Sequence, residues 1–578
     1  MYNNYDKYPK IKIENFENQI IKGYGSICNF LKKKLKKQKT IIVIDMYPGV
    51  DENEIINGFK ELNIDYFFNS NKCALSGKEL TEKISDYLTD DRVFGVINHK
   101  KLDHYFKPEL IKNMKNEINN INEGIILLYG VGAGLVTKGD IYIYADIARW
   151  EIQNRYKNGM SNWNIENSND EFKSKYKRGF FFEWRISDRH KKNILNDIDF
   201  LLDTNIKENP KLLSGNDFRK GLEQASKKPF RLVPYFDPGV WGGQWMKNVC
   251  GLDKNKDNYA WAFDGVPEEN SVYLLYENDF IEIPSVDIIY YKPVNLLGNR
   301  VHARFGHEFP IRFDFLDTMG GQNLSLQVHP LTEYIQDNFG MKFTQDESYY
   351  ILDAKEGSEV YLGLKENVNK EEFINDLKTA EKGQKSFPDE KYINRFPVKK
   401  HDHFLIPAGT IHCSGKDTMV LEISATPYIF TFKLWDWGRV DLDGKPRPIH
   451  IEHGKNVIQW DRNTKWVEKN LINKIENIKN EENYVEEKTG LHEREFLETR
   501  RHWFTGPVLH ETFDSVNVLN LIEGEEAVVK SIDNSFEPFI VHYAETFIIP
   551  ASVKNYIIEP TDKTKGKKLA TIKAFIKR

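Results

Sequence analysis

Two short segments constrain this chain more than any others: Leu324-Ser-Leu-Gln-Val-His-Pro330 and Pro407-Ala-Gly-Thr-Ile-His412. Side chains alternate faces along a strand, so a strand through the first segment puts Gln327 and His329 on one face and turns Val328 to the other. In the second, a tight Pro-x-Gly turn delivers His412 at the start of another strand. Between them lies Thr344-Gln-Asp-Glu-Ser-Tyr-Tyr-Ile-Leu352, whose Glu347 is placed to supply an oxygen ligand. Two imidazoles, one carboxylate and one amide oxygen suit zinc or another borderline divalent metal. Taken singly, a Gln-x-His in a strand is more often surface or capping chemistry. Here the three pieces occur in order within one strand-rich stretch, which favours a shared site.

The same residues carry a resemblance. Pro-x-Gly-x-x-His is the ending of the second cupin motif, and the set resembles the type I mannose-6-phosphate isomerases. By that resemblance Gln327, His329, Glu347 and His412 are the zinc ligands and Ser325 lies near the sugar phosphate. Trp241-Gly-Gly243, Phe309 to Asp317, Val420 to Ser424 and Lys433 to Arg439 resemble further family segments, so the likeness spans roughly residues 230 to 455. It implies a cupin (β jelly-roll) isomerase domain in which Arg439 faces the active site. The implied reaction interconverts mannose 6-phosphate and fructose 6-phosphate through an enediolate. For the general base the first choice is Glu422, a carboxylate within an apolar strand, with His401 and His403 as runners-up. The pattern also departs from the family's: Asp314 and Gln345 stand where lysines are usual. Lys342, Arg300, Arg304 and Arg312 are the cations available to compensate. Two alternatives follow, a sugar-binding cupin without turnover and an isomerase of an unphosphorylated sugar.

Three regions are expected: an α/β domain over 1–225, the metal-binding cupin over 226–455 and a second, degenerate cupin-like β domain over 456–578. In the first, Thr40 to Asp45 and Gly124 to Tyr129 read as buried parallel strands, nearly continuous in apolar residues. Met46 to Ile55 sits where a phosphate loop would follow the first strand, but Asp51, Glu52 and Glu54 would repel phosphate and no Lys-Ser/Thr pair is present. Gly130-Val-Gly-Ala-Gly134 is a better anion cradle by composition. The reading is a degenerate kinase-like domain with a scaffolding or regulatory role; the paired charges and aromatics of Ala145 to Trp150 and Glu183 to Arg189 either hold the fold together or line a cleft. Residues 369–382 read as a helix, and 470–487 as a charged helical linker.

Lys+Arg 81 against Asp+Glu 86 gives a formal charge of −5, with no basic excess for nucleic acid. The polar N-terminus and the lack of long apolar runs argue against a signal peptide or a membrane span. The four cysteines show no paired spacing, which suits reduced thiols in a cytoplasm. Cys413, beside His412, alternates to the opposite face and is expected in the core.

Overall fold

The structure, a computed structural model, describes residues 4–425, 430–440, 444, 447–490, 492–493 and 495–578; the first three residues of the polar N-terminus lie outside them. It is a multidomain mixed α/β protein with several sheets. The chain forms two compact units. One contains the stretch ending at Pro9 with Ser226–Asn270 and Pro293–Arg578; the other contains Lys10–Ala225 and Ser271–Lys292.

The second of these is built on a seven-stranded sheet. Five strands run parallel: Lys39–Met46 in the centre, Gly124–Gly130 and then Tyr66–Asn69 on one side, Ile141–Asp146 and then Phe200–Asp203 on the other. Both expected strands are present and pair directly, Thr40 with Ile125 through Asp45 with Gly130. The glycine cluster does hold an anion, but an internal one. Gly132 N and Gly134 N donate to the two oxygens of Asp45 at 2.9 and 3.0 Å. A Cβ on Gly134 would lie 2.1 Å from the Tyr142 hydroxyl, so that loop needs glycine for close approach. Where a phosphate loop would lie, Asp51 instead caps the Glu52–Gly58 helix, accepting from Asn53 N and Glu54 N. Arg149 pairs with Asp188 at 3.3 Å, and Lys191, 1 % exposed, lies 2.5 Å from both Asp146 and Asp287. Asp287 comes from Ser271–Lys292, whose two strands, Ser271–Tyr276 and Asp279–Pro284, form a sheet with Lys10–Ile13.

In the other unit, one sheet orders His403–Ile406, Glu347–Ala354, Thr418–Ser424, Arg312–Asp317, Trp261–Gly265 and Tyr235–Asp237. Another orders Ile393–Pro397, Glu359–Leu364, His412–Ser414, Leu326–Val328 and Phe432–Trp435. The inner strands are buried on both faces, Tyr349 and Tyr350 alike, and Val328 and Cys413 are sealed on the face opposite Gln327 and His412, Cys413 as expected. The helix read at 369–382 is Lys370–Glu381, with Asn369 accepting from Glu372 N as its cap.

The charged helical linker is corrected. Helix covers only Thr464–Asn470; Glu476–Glu481 and Tyr484–Lys488 form a hairpin whose second strand pairs with Leu497–Phe504. Charges on Glu486 and Glu487 answer Arg500 and Arg501 on the neighbouring strand, a cross-strand pattern that in one dimension resembles a charged helix. The remaining strands complete a sandwich of six and four strands with its own core around Leu519, Val529, Phe547 and Tyr556. Among the described residues no helix is long and apolar enough to cross a membrane, and all four cysteines are free and buried.

Candidate metal centre

Three of the four proposed ligands converge. Ligand atoms of His329, Glu347 and His412 lie within 4.8 Å of one another, all buried. Gln327 and His412 are register partners on adjacent antiparallel strands, so the side chains of the two motifs project from the same face. Glu347 comes from the other sheet, at the first position of the Glu347–Ala354 strand. Its Oε2 lies 3.1 Å from His329 Nε2 and its Oε1 2.8 Å from His412 Nε2.

The hydrogen bonds around these groups test whether they fit a cation. Nδ1 of His412 faces the Thr410 carbonyl at 2.9 Å, and Nδ1 of His329 faces the Phe430 carbonyl at 3.3 Å. A carbonyl only accepts, so each Nδ1 carries the proton, and in a neutral ring Nε2 is then a bare lone pair. Both lone pairs point at a carboxylate. Although His329 Nε2 and Glu347 Oε1 lie within ion-pair range of opposite partners, neither makes a hydrogen bond of good geometry. Acceptors converging without hydrogen bonds between them fit a positive ion in their midst, and imidazoles oriented by carbonyls are the usual support for a metal. Gln327 fits as well. Its Oε1 accepts from Ser325 Oγ at 3.2 Å while Nε2 lies 3.2 Å from His412 Nε2. A half-turn of the amide lets its NH2 donate to Ser325 and directs its oxygen to the cluster.

Around this set lies a second layer of charge. Gln345 Nε2 donates to Glu347 Oε2 at 3.0 Å and to Glu422 Oε1 at 3.1 Å, bridging the two carboxylates. Glu422 pairs in register with Asp314 on one side and Tyr349 on the other. Arg312 reaches both acids, Asp314 at 3.0 Å and Glu422 at 3.7 Å. Burial, followed by the charges of Asp314 and Glu347, pushes the Glu422 carboxyl well above the usual range. Burial likewise pushes Asp314 up to about 6, against the pull of Arg312.

The other sequence candidates are dispersed. Of the four compensating cations only Arg312 reaches this layer. Lys342 pairs with Glu308, Arg300 donates to the carbonyls of Phe513, Ile576 and Lys577, and Arg304 lies over Phe305 and Phe496. Arg439 is tied to Asp436 and donates to the Asn323 carbonyl at 2.7 Å; among the described residues its hydrogen bonds do not reach the His–Glu–His group. His403 pairs in register with Tyr350, and Glu347 with Ile406, three positions along the same strand; odd spacing puts His403 on the face away from Glu347. His401 bonds Tyr350 and Glu523 on that same far side. The sequence reading missed the Gln345 bridge and the buried Tyr349 ring, edge-on to His412 at 5.8 Å. Both stand two positions from Glu347 and hence on its face; what the sequence did not show was the partner Glu422, 77 residues on, that Gln345 bridges to.

Sequence comparison gives the relatives. Residues 23–227 match a family described as "Domain of unknown function (DUF8485)". A mannose-6-phosphate isomerase of Streptococcus mutans serotype c is 28 % identical over 233 residues, which is 40 % of this chain and 68 % of that protein. The likeness is to mannose-6-phosphate isomerases. A probable mannose-6-phosphate isomerase of Bacillus subtilis, GmuF, is 27 % identical over 232 residues with the same coverage, and ManA of that organism 27 % over 233. The crystal structure of the Bacillus subtilis mannose 6-phosphate isomerase aligns with 61 % of this chain and 100 % of its own, at 19 % identity and a TM-score of 0.49.

Proposed function

We infer that this protein is a metal-dependent aldose–ketose isomerase of the mannose-6-phosphate isomerase type. Its site is a cupin-like pair of sheets, and its metal ligands are Gln327, His329, Glu347 and His412, zinc being the ion their chemistry favours. The single observation that carries the reading is the convergence of two carbonyl-anchored imidazoles on one buried carboxylate. A bound divalent ion supplies a Lewis acid for the sugar's carbonyl and neighbouring hydroxyl oxygens.

The chain's own residues do the rest. Glu422 is the base that moves a proton between the two carbons, and Gln345 fixes its carboxyl beside Glu347. Arg312 balances the carboxylates at Asp314 and Glu422. Ser325 orients the Gln327 amide, a role that competes with any contact to sugar phosphate. Arg439 acts through the Asp436 and Asn323 contacts that shape the neighbouring loop.

The substrate of this reading is mannose 6-phosphate. Of the four compensating cations weighed, only Arg312 lies near the site, and it is already paired with Asp314. The preference for phosphorylated over free mannose should therefore be small. Charge-assisted contacts to phosphate contribute about 1.5–3 kcal/mol each, so losing two lowers the discrimination by roughly 10²–10⁴. The test is kcat/KM for mannose 6-phosphate and mannose on one zinc-loaded preparation. Turnover of neither sugar would remove the isomerase reading. A ratio of many thousands would show that phosphate is held by groups other than those considered above.

A further inference from the structure

The parallel strands of the seven-stranded sheet follow one another away from Lys39–Met46 on both sides. The chain runs from there to the edge strand Tyr66–Asn69 and back to Gly124–Gly130, then crosses to Ile141–Asp146 and Phe200–Asp203 on the other side. The order therefore reverses between Lys39–Met46 and Ile141–Asp146. Open parallel sheets bind ligands in the crevice outside the carboxyl ends of their strands at such a reversal. A cleft of about 590 Å³ lies there. Met46 and Tyr47 line it from the end of Lys39–Met46, Val131 from the end of Gly124–Gly130, and Glu151 and Arg155 from the helix that follows Ile141–Asp146.

The walls of this cleft are fixed in advance. Arg155 donates to the Gly49 carbonyl at 3.0 Å, to the Thr204 carbonyl at 2.6 Å and to Glu151 at 3.0 Å, tying the loop after the first strand to the helix. Gly49 has φ +106°, and a Cβ there would lie 2.9 Å from Ile152, so the loop packs against the helix as only glycine allows. Hydrogen-bonding capacity nevertheless remains. Glu52 receives one amide on each oxygen, from Asn69 at 2.9 Å and from Asn71, half of what a carboxylate can accept. Glu54 takes the Tyr24 hydroxyl and the Glu208 amide on one oxygen, both at 3.0 Å, leaving the other for a ligand. The carboxamides of Asn53 and Asn158 are exposed in the cleft. Burial pushes the Glu52 carboxyl up, as is common for groups that line ligand sites.

The lining also selects the class of ligand. Asp51, Glu52, Glu54 and Glu151 face only two cations, Arg155 and Lys207, and Arg155 is already paired with Glu151. That excess of negative charge repels a phosphate. The acids do not gather round a metal either: among the described residues only His329, Glu347 and His412 bring three such ligand atoms together. Carboxylates that accept and carboxamides that both accept and donate match a neutral molecule rich in hydroxyls, each of which donates and accepts at once. Trp163, whose Nε1 is held by Asn71 at 2.9 Å, and Val131 give the cleft an apolar wall. We propose that this cleft binds an unphosphorylated hexose, its hydroxyls taken by Glu52, Glu54, Asn53 and Asn158 and its apolar face turned to Trp163 and Val131.

Calorimetric titration of the whole protein with mannose, glucose, galactose and fructose, and in parallel with mannose 6-phosphate, tests this. At least one free hexose should bind, and Glu52→Gln, which keeps the shape and removes the charged acceptor, should weaken that binding at least tenfold. His412→Ala, at the metal centre, should leave it intact, so this site and the isomerase reading can fail independently. Binding of none of the four hexoses, full binding in Glu52→Gln, or loss of binding in His412→Ala overturns the proposal. Mannose 6-phosphate binding that Glu52→Gln weakens as much as hexose binding overturns the choice of a neutral ligand. Should Glu52→Gln not fold, the exposed pair Asn53→Ala/Asn158→Ala decides: several-fold weaker hexose binding supports the cleft, and unchanged binding refutes it.

Discussion

His412→Ala is the sharpest test of the metal assignment. The imidazole is fully buried, anchored through Nδ1 to the Thr410 carbonyl, with Nε2 2.8 Å from Glu347. Losing a group that only orients a ligand typically costs 10–100-fold in metal affinity. Removing a donor itself should exceed that range, so at least a hundredfold, or about 2.8 kcal/mol. Ser325→Ala provides the internal scale, because Ser325 touches Gln327 rather than the cluster. It should fall within or below the 10–100-fold range. Affinity is read by competition with a chromogenic zinc chelator, and occupancy by elemental analysis after dialysis. Both variants should stay folded, since neither removes a large apolar group. Undiminished zinc in His412→Ala, or a greater loss in Ser325→Ala than in His412→Ala, would refute the reasoning.

Glu422→Gln should lower turnover more than tenfold with zinc still bound, because the amide keeps the Gln345 contact but cannot take a proton; near-normal turnover removes Glu422 as the base. Lys191→Met strands the buried carboxylates of Asp146 and Asp287 and should destabilise its unit by about 3–5 kcal/mol, seen as a shift of its urea transition and partly restored by adding Asp287→Asn. Glu523 is held down at about 2, chiefly by its hydrogen bond to His401 with Lys400 helping. Its folded pKa is depressed, so its stabilisation is complete above about pH 4.5 and is lost as pH falls towards 2. Glu523→Gln should therefore flatten the acid limb of the stability profile, and an unchanged limb would count against the pairing.

What the sequence determined by itself was whatever repeats with the period of a strand or is written in adjacent residues. Alternation placed Gln327 and His329 together and sent Val328 and Cys413 to the core, and the Pro-x-Gly turn placed His412. Continuous apolar runs marked the parallel strands Lys39–Met46 and Gly124–Gly130. The segment from 470 to 487 was illegible as a hairpin because its charges are paired across strands, a relation that no window along one strand contains. Tertiary structure alone decided which charges meet. It put Gln345 between Glu347 and Glu422, gave Asp314 the guanidinium of Arg312, and sent Ser271–Lys292 to pack with residues 10–225, where Asp287 shares Lys191 with Asp146. The glycine cluster likewise looked open until folding brought Asp45 into it from a strand more than eighty residues earlier. Burial decides these matches: out of water a charge must find an opposite partner, and which partner lies within reach depends on strand order and register, which join residues far apart in the chain.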